Sequence, residues 1–144
     1  MLLLLIINAP ARINCQVLRN KEAVDLVKSC VDNIYNFRFE KARELSGKID
    51  ERFPGHPVVL LLSGMTEYWE NFPLLPSSPA AGRFENYLKK CIQLCELKKD
   101  SSDYAEFLLA NLGARGLLLE YYADNDLSKD VFGLAKTTYR YLRQ

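Results

Sequence analysis

The amino-acid sequence predicts an all-α protein. After residue 20, apolar residues recur at spacings of three and four, which is the periodicity of an amphipathic helix. No stretch alternates apolar and polar residues in the manner of a half-buried strand. Prolines, glycines and short polar segments interrupt the helical pattern at intervals of about one helix length. We therefore predict six helices, with residues 20 to 144 as one helical domain.

The first two helices are predicted over residues 21 to 35 and 39 to 53. The apolar stripe of the first helix is Ala23, Val27, Cys30, Ile34 and Phe37. The stripe of the second helix is Phe39, Ala42, Leu45, Ile49 and Phe53. Asn20 is expected to cap the first helix, because its side chain can accept a hydrogen bond from a free amide of the first turn. The connection is so short that the two helices must run antiparallel.

The segment Phe53-Pro54-Gly55-His56-Pro57 is the sharpest stop in the chain. Pro54 and Pro57 lack an amide hydrogen, and each disfavours helical geometry in the residue before it. Gly55 permits a reversal of the chain, and Pro57 suits the first turn of a third helix. The inward stripe of that helix is predicted to be Leu61, Gly64, Met65, Tyr68 and Phe72.

Three more helices follow the Pro-rich segment 73–79. We predict them over residues 80–98, 103–123 and 128–143. Their predicted inward stripes are Phe84, Leu88, Cys91 and Cys95; Ala105, Leu109, Leu112, Gly116 and Leu119; and Val131, Ala135, Thr138 and Leu142. Six helices with short connections make three antiparallel hairpins.

Small residues stand inside these bulky stripes, at Ala42, Gly64, Gly113, Gly116 and Ala135. A small side chain lets a neighbouring helix approach closely, and that packing must offset a helix-propensity cost of about 1 kcal/mol for glycine. The hairpins span roughly 33 to 42 residues each, which is a spacing found in helical repeat proteins.

The chain resembles the tetratricopeptide-like repeat proteins over about residues 21 to 143. The likeness is carried by residues 39–42 leading to 53–57, by 61–64 with Tyr68, and by 109–116. The long fourth and fifth helices and the Pro-rich segment depart from the family pattern. The resemblance implies three antiparallel hairpins stacked as a short superhelix, which serves as a non-enzymatic scaffold and holds a protein or peptide on its concave face.

The groove side of the first, third and fifth helices is the expected binding surface. Its predicted contact residues are Asn33, Glu67, Trp69, Arg115 and Tyr122. Trp69 follows Tyr68 and is therefore turned about 100° away from it around the helix. Aromatic and arginine side chains concentrate binding energy at interfaces. Packing of Trp69 against the Pro-rich segment is the competing interpretation.

Several kinds of chemistry are not expected. The chain has 19 Lys and Arg against 18 Asp and Glu, so its net charge of +1 gives no field to attract nucleic acid. His56 is the only histidine, and no nucleophile motif accompanies it, so we predict no catalysis. Cys91 and Cys95 share a helix face but lack the second ligand pair of a zinc site. We predict neither a metal nor a cofactor.

The cysteines are interpreted as core residues, because a free cysteine on an apolar stripe behaves as a small hydrophobe. A disulfide from Cys30 to Cys91 or Cys95 is the alternative, and it requires an oxidising compartment.

A second class of function is a helical protein that binds a small ligand or lipid in a pocket under the Pro-rich segment 73–79. Such a protein needs an internal apolar cavity of some hundreds of cubic ångströms. A repeat scaffold instead needs an open groove.

Residues 1 to 16 stand apart from the helical domain. Six apolar residues are followed by Ala9-Pro10-Ala11, which has the small-x-small form of a signal-peptidase site. The apolar run is too short for a membrane span, which needs about 20 residues. We predict an export signal and a location in the periplasm or cell envelope. A buried first helical turn in a cytoplasmic protein, or a lipid carried by Cys15, are the alternatives.

The last predicted helix carries Phe132 and Tyr141 among its charged residues. A terminal repeat needs a polar outer face. Further repeats C-terminal to Gln144 are therefore also expected.

Overall fold

Six α-helices make up the described structure. The computed structural model describes residues 17–98 and 104–143. The helices are α1 (Lys21–Tyr35), α2 (Phe39–Arg52), α3 (Pro57–Glu70), α4 (Pro79–Glu96), α5 (Tyr104–Asp124) and α6 (Ser128–Leu142). These residues contain no β-strand, which confirms the all-α prediction. None of the helices within them is both long and apolar enough to cross a bilayer.

Helix ends follow the local chemistry of the sequence. The Asn20 side chain accepts a hydrogen bond from the Ala23 amide at 3.1 Å, as predicted for an N-cap. Ser78 caps α4 by accepting from the Ala81 amide at 3.2 Å. Gly55 has φ +70°, in the left-handed region, between the end of α2 and Pro57 at the start of α3. The predicted bounds of all six helices therefore agree with the structure to within a few residues.

Consecutive helices pack against each other and run antiparallel. Side-chain bonds tie the start of one helix to the end of its neighbour in four pairs: Glu22–Arg52, Arg43–Glu70, Glu67–Arg83 and Glu85–Tyr122. The α5–α6 connection spans only residues 125–127.

The odd-numbered helices α1, α3 and α5 lie side by side in parallel. Contacts join like ends of these helices: Tyr35 with Trp69, His56 with Glu106, and Tyr68 with Asp124. Among the described residues, α2 and α4 have no Cα atoms within 8 Å of each other, and neither do α4 and α6. The even-numbered helices are therefore separated by gaps.

Two apolar clusters form the core. One lies between α1 and α2 and includes Cys30, Ile34 and Ile49. The other lies among α3, α4 and α5 and includes Phe84 and Leu88. Trp69 packs against both clusters and thus joins them.

Some of the small residues mark close helix crossings, as predicted. A Cβ atom at Gly64 would lie 2.5 Å from Leu88 Cδ2, and one at Gly113 would lie 3.2 Å from Leu61 Cδ2. Ala42 is fully buried, and its carbonyl accepts a bond from Cys30 Sγ at 3.3 Å.

The predictions for Gly116 and Ala135 are wrong. Both residues are exposed, and no atom of another described helix lies within 4 Å of the Cβ position of Gly116.

The predicted inner face of α5 is also wrong. Ala105, Leu109 and Gly116 are exposed, and Leu112 and Leu119 are only half-buried. The residues that are buried instead are Glu106, Phe107, Ala110, Asn111, Ala114, Arg115, Leu118, Tyr121 and Tyr122. Three of these buried residues, Glu106, Asn111 and Arg115, are polar and form hydrogen bonds with other segments. In the sequence, the buried face of α5 is therefore less apolar than the exposed face.

Several other stripe residues are exposed. Ala135 and Leu142 of α6 face solvent, and Tyr141 is the buried residue of this helix, with Val131 and Thr138 half-buried. Phe37 lies past the end of α1 with φ +57°, and Phe72 lies past the end of α3, so neither continues its stripe.

Candidate functional site

The largest cleft described lies between α4 and α6, with α5 as its floor. We call it the α4–α6 groove, and its volume is about 610 Å³. It is lined by Lys89, Ile92, Gln93, Glu96, Arg115, Leu118, Tyr122, Lys129, Asp130, Gly133, Leu134 and Thr137. The groove exists because α4 and α6 both pack on α5, while no Cα atom of the described α4 lies within 8 Å of one in α6.

The groove combines an apolar floor with a charged rim. Three apolar residues, one from each helix, line the floor: Ile92 and Leu118 are buried and Leu134 is half-buried. Lys89 and Lys129 place positive charge at the rim, and Glu96 and Asp130 place negative charge there. An apolar centre with a polar edge is the usual composition of a protein-binding surface.

Arg115 fixes the geometry of the groove. The residue is only 4% exposed. Its Nε donates to Asn111 Oδ1 at 2.7 Å, and its Nη2 donates to Glu96 Oε1 at 2.7 Å. Its Nη1 donates to the hydroxyls of Thr137 and Thr138 at 3.1 and 3.2 Å. One guanidinium therefore holds α4, α5 and α6 together.

Tyr122 lies at the α4 side of the same groove. The side chain is mostly buried, and its hydroxyl donates to Glu85 Oε2 at 3.2 Å. Burial raises the pKa of Tyr122; the Glu85 carboxylate adds to this rise, and Lys89 opposes it. Lys89 also donates to Glu85, and this bond raises the pKa of Lys89. These contacts order one rim of the groove.

Glu67 lies in a different, smaller cleft. This cleft has a volume of about 260 Å³ and is lined by Arg43, Ser46, Gly47, Asp50, Val59, Ser63, Thr66, Glu67 and Tyr87. Glu67 accepts two hydrogen bonds from the Arg83 guanidinium, each at 3.0 Å. Most of its bonding capacity is thus used within the protein.

Trp69 belongs to an aromatic cluster at the carboxyl ends of α1 and α3. Its ring centroid lies 5.5 Å from that of Tyr35 and 5.7 Å from that of Phe72. Trp69 is half-buried, whereas Tyr35 and Phe72 are more than half exposed. Its Nε1 is buried and has no hydrogen-bond partner among the described residues. Trp69 contacts Phe72, which directly precedes the Pro-rich segment.

Asn33 is separate from these sites. Its Nδ2 donates to the Ser29 carbonyl one turn back in α1, at 2.7 Å. Of the five predicted contact residues, the structure brings only Arg115 and Tyr122 together in one cleft.

The sequence prediction missed the contribution of the even-numbered helices. Gln93 of α4 and Lys129 and Gly133 of α6 line the groove, but they lie on polar faces with no distinguishing pattern. Only the spacing of α4 and α6 around α5 identifies them, and this spacing depends on contacts distant in sequence.

His56 is buried and has structural contacts. Its Nδ1 accepts from the Val58 amide at 3.2 Å and caps α3. Its Nε2 lies 3.0 Å from Glu106 Oε1, although this contact is poorly aligned for a hydrogen bond. Glu106 in turn accepts from the amides of Val17 at 2.8 Å and Leu18 at 3.3 Å. The pair joins the starts of α3 and α5 to the segment before α1.

The three described cysteines, Cys30, Cys91 and Cys95, are buried and free. Burial raises the pKa of the Cys30 thiol to about 11. The neighbouring Cys95 and burial also raise the pKa of Cys91. Cys30 lies in a different apolar cluster from the other two. The core interpretation therefore applies to these three residues, and Cys15 lies outside the described part of the chain.

The Pro-rich segment is anchored to the core. Leu74 is only 3% exposed, and its carbonyl accepts from Asn125 Nδ2 at 3.2 Å. Residues 73–79 do not line the cleft that contains Glu67 or the α4–α6 groove. They also do not line a third cleft, at the α5–α6 turn. Ligand binding under this segment stays a prediction.

Comparisons of the chain with protein-family models, with curated proteins and with solved structures gave no match.

Proposed function

We propose that this protein is a non-enzymatic protein-interaction scaffold of the tetratricopeptide-like class. In this proposal the three antiparallel hairpins are stacked as a short superhelix. The observation that carries it is the packing order of the helices. Helix α3 lies between α1 and α5 in parallel, and among the described helices α2 and α4 each pack against their two neighbours in sequence and α6 packs against α5 alone. Repeat arrays have this nearest-neighbour arrangement.

The proposed ligand is a protein segment or peptide bound in the α4–α6 groove. A volume of about 610 Å³ can accept several side chains. Leu134 is half-buried and offers apolar contact at the floor, whereas Ile92 and Leu118 lie beneath it at 9% and 1% exposure. Rim charges of both signs favour a ligand of mixed charge over a polyanion, because a polyanion needs one continuous basic surface.

Arg115 and Tyr122 have different roles in this proposal. The guanidinium of Arg115 is occupied by bonds within the protein, so its main role is to position the helices that form the groove. Tyr122 is buried at 6% exposure and lines the groove, where its hydroxyl bonds to Glu85. Replacing Arg115 would disturb the fold, so it is a poor test of binding.

Gly133 provides a cleaner test. It lines the groove, is exposed, and has no atom of another described helix within 4 Å of its Cβ position. Gly133→Leu should therefore fill part of the groove and leave the helices in place. Gly82→Leu is a matched control, because Gly82 is equally open but lies outside the groove.

Peptides selected from a random 12-residue display library against the purified protein would serve as ligands. We expect Gly133→Leu to weaken their affinity at least tenfold in fluorescence polarisation, and Gly82→Leu to leave it unchanged. Failure to select any peptide, or equal affinity for all three proteins, would contradict the proposal.

Export to the periplasm or cell envelope completes the proposal. Export is supported only by the pattern of residues 1 to 16, which lie outside the described residues. Residues 1 to 16 fused to a phosphatase that is active only after export should give active enzyme in a bacterial host. An inactive fusion would favour the cytoplasmic alternative.

A further inference from the structure

Helix α6 is packed on one side only. Among the described helices, Cα atoms of α6 lie within 8 Å of α5 alone, whereas every other helix also lies that close to a second one. Tyr141 is the one buried residue among the 15 of α6, whereas seven of the 18 residues of α4 are buried. Local stability follows the extent of buried apolar contact. We therefore expect α6 to separate from the protein more readily than the other helices.

The side of α6 that faces α5 is a narrow stripe. Its members recur at spacings of three and four, and they are Val131, Leu134, Thr138 and Tyr141. Val131 and Leu134 pack against the apolar cluster among α3, α4 and α5, but both stay half-buried. The amino-terminal half of α6 is thus held by apolar contacts that water can reach.

Contacts with Arg115 hold the carboxyl-terminal half of α6. The Nη1 atom of Arg115 donates to the hydroxyls of Thr137 and Thr138 at 3.1 and 3.2 Å. The guanidinium lies over the ring of Tyr141, with Cζ 5.4 Å from the ring centroid. Such an arrangement is attractive because the ring face is negative. One side chain of α5 therefore attaches this half of α6, and we call these four residues the anchor.

The turn before α6 is short and has an unusual backbone. Residues 125–127 connect α5 to α6, and Asp126 has φ +56°, in the left-handed region that residues other than glycine seldom adopt. Leu127 at the N-cap forms no side-chain capping bond with the first turn of α6. Hinges are a few residues at the ends of elements that absorb changes in φ and ψ. Rotation at this turn would move α6 and leave α1 to α5 in place.

We propose that α6 is a movable wall of the α4–α6 groove, which rotates about residues 125–127 and is held closed by the anchor. This inference rests on the proposed function of the groove as a peptide site. Lys129, Gly133 and Thr137 line the groove from α6, so the groove changes its width when α6 moves. A peptide that contacts both α4 and α6 binds the closed state more tightly than the open one. Peptide binding therefore shifts α6 toward the closed state.

Hydrogen exchange of the backbone amides of the full chain measures the opening of α6 without a ligand. A 15-residue helix that leaves its protein is marginal in water, so its amides lose protection when α6 opens. We expect the amides of residues 132–141 to exchange on the order of 100-fold faster than those of α4 and α5, after correction for intrinsic rates. A library-selected peptide at saturation should slow the exchange of α6 about tenfold.

Variants of the anchor test what holds α6 closed. Thr137→Val with Thr138→Val removes both acceptors of Arg115 Nη1 and keeps the side-chain volume. This pair should speed the exchange of α6 about tenfold and leave that of α1 and α2 unchanged. Thr137→Ser with Thr138→Ser retains both hydroxyls and should exchange like the natural protein. Thr66→Val is a matched control in α3, since in the described structure the Thr66 hydroxyl bonds to the Leu62 carbonyl of its own helix.

Equal exchange of α6 and α4 in the natural protein would overturn the proposal. So would exchange of α6 that is unaffected by the double valine variant, or that a bound peptide does not slow. Faster exchange of all six helices by the same factor in that variant would also overturn it, because α6 would then open only when the whole protein unfolds. Failure of every peptide to bind would contradict the proposed function, whereas the motion of α6 is measured in the free protein.

Discussion

Gly64 provides a quantitative test of how closely α3 and α4 pack. Its Cβ position lies 2.5 Å from Cδ2 and 2.9 Å from Cγ of Leu88, both inside van der Waals contact. Leu88 is fully buried in the apolar cluster among α3, α4 and α5, so it has little room to move. Gly64→Ala must therefore displace a core side chain or separate the two helices.

Two opposing effects set the size of the change. Overpacking a core typically costs about 1–3 kcal/mol. Replacing glycine by alanine inside a helix stabilises the folded protein by about 1 kcal/mol, because alanine has the higher helix propensity. Gly47→Ala isolates the second effect, because Gly47 lies in α2 with no atom of another described helix within 4 Å. We expect the free energy of unfolding of Gly64→Ala to be about 2 kcal/mol below that of Gly47→Ala.

Urea unfolding monitored by circular dichroism measures both variants on the same scale. Gly47→Ala should be more stable than the natural protein, and Gly64→Ala less stable. Equal stabilisation by the two substitutions would refute the close approach of α3 and α4 at Gly64.

Two other predictions concern buried groups. Arg115→Met should lower the free energy of unfolding by about 3 kcal/mol, because it leaves Asn111 and two threonine hydroxyls without their hydrogen-bond donor. Urea denaturation measures this change, and a loss under 1 kcal/mol would contradict the role of Arg115 in fixing three helices. Burial raises the pKa of Cys30 from 9.0 to about 11, so the folded protein keeps a proton that the unfolded chain releases in this range. The free energy of unfolding should therefore fall as the pH rises from about 9 to 11, and this fall should be shallower in Cys30→Ala. Identical pH profiles of the two proteins would contradict the raised pKa of Cys30.

The helices and their ends could be predicted because their signals are local. Asn20 as a cap and the two prolines around Gly55 act on neighbouring residues, whatever the tertiary contacts. The stripes of α1 and α4 also agree with the structure at Cys30 and Leu88, because those helices have one clearly apolar face.

The face of α5 could not be predicted in this way. This helix has apolar residues on both sides, and the predicted stripe with Leu109 contains no charged residue, so periodicity favoured it. The structure buries the other side because Glu106 bonds to the amides of Val17 and Leu18, and Arg115 bonds to α4 and α6. Such partners lie far away in the sequence. The α4–α6 groove could not be predicted for the same reason, because it depends on the gap between two helices and thus on contacts distant in sequence.

The scaffold proposal can be tested by following backbone amide signals in nuclear magnetic resonance during titration with a library-selected peptide. We predict that the largest chemical-shift changes occur at residues lining the α4–α6 groove, including Gln93, Lys129 and Gly133. Changes centred on residues 73–79 would contradict this prediction and favour the small-ligand alternative. A spectrum that does not change at saturating peptide would contradict groove binding altogether.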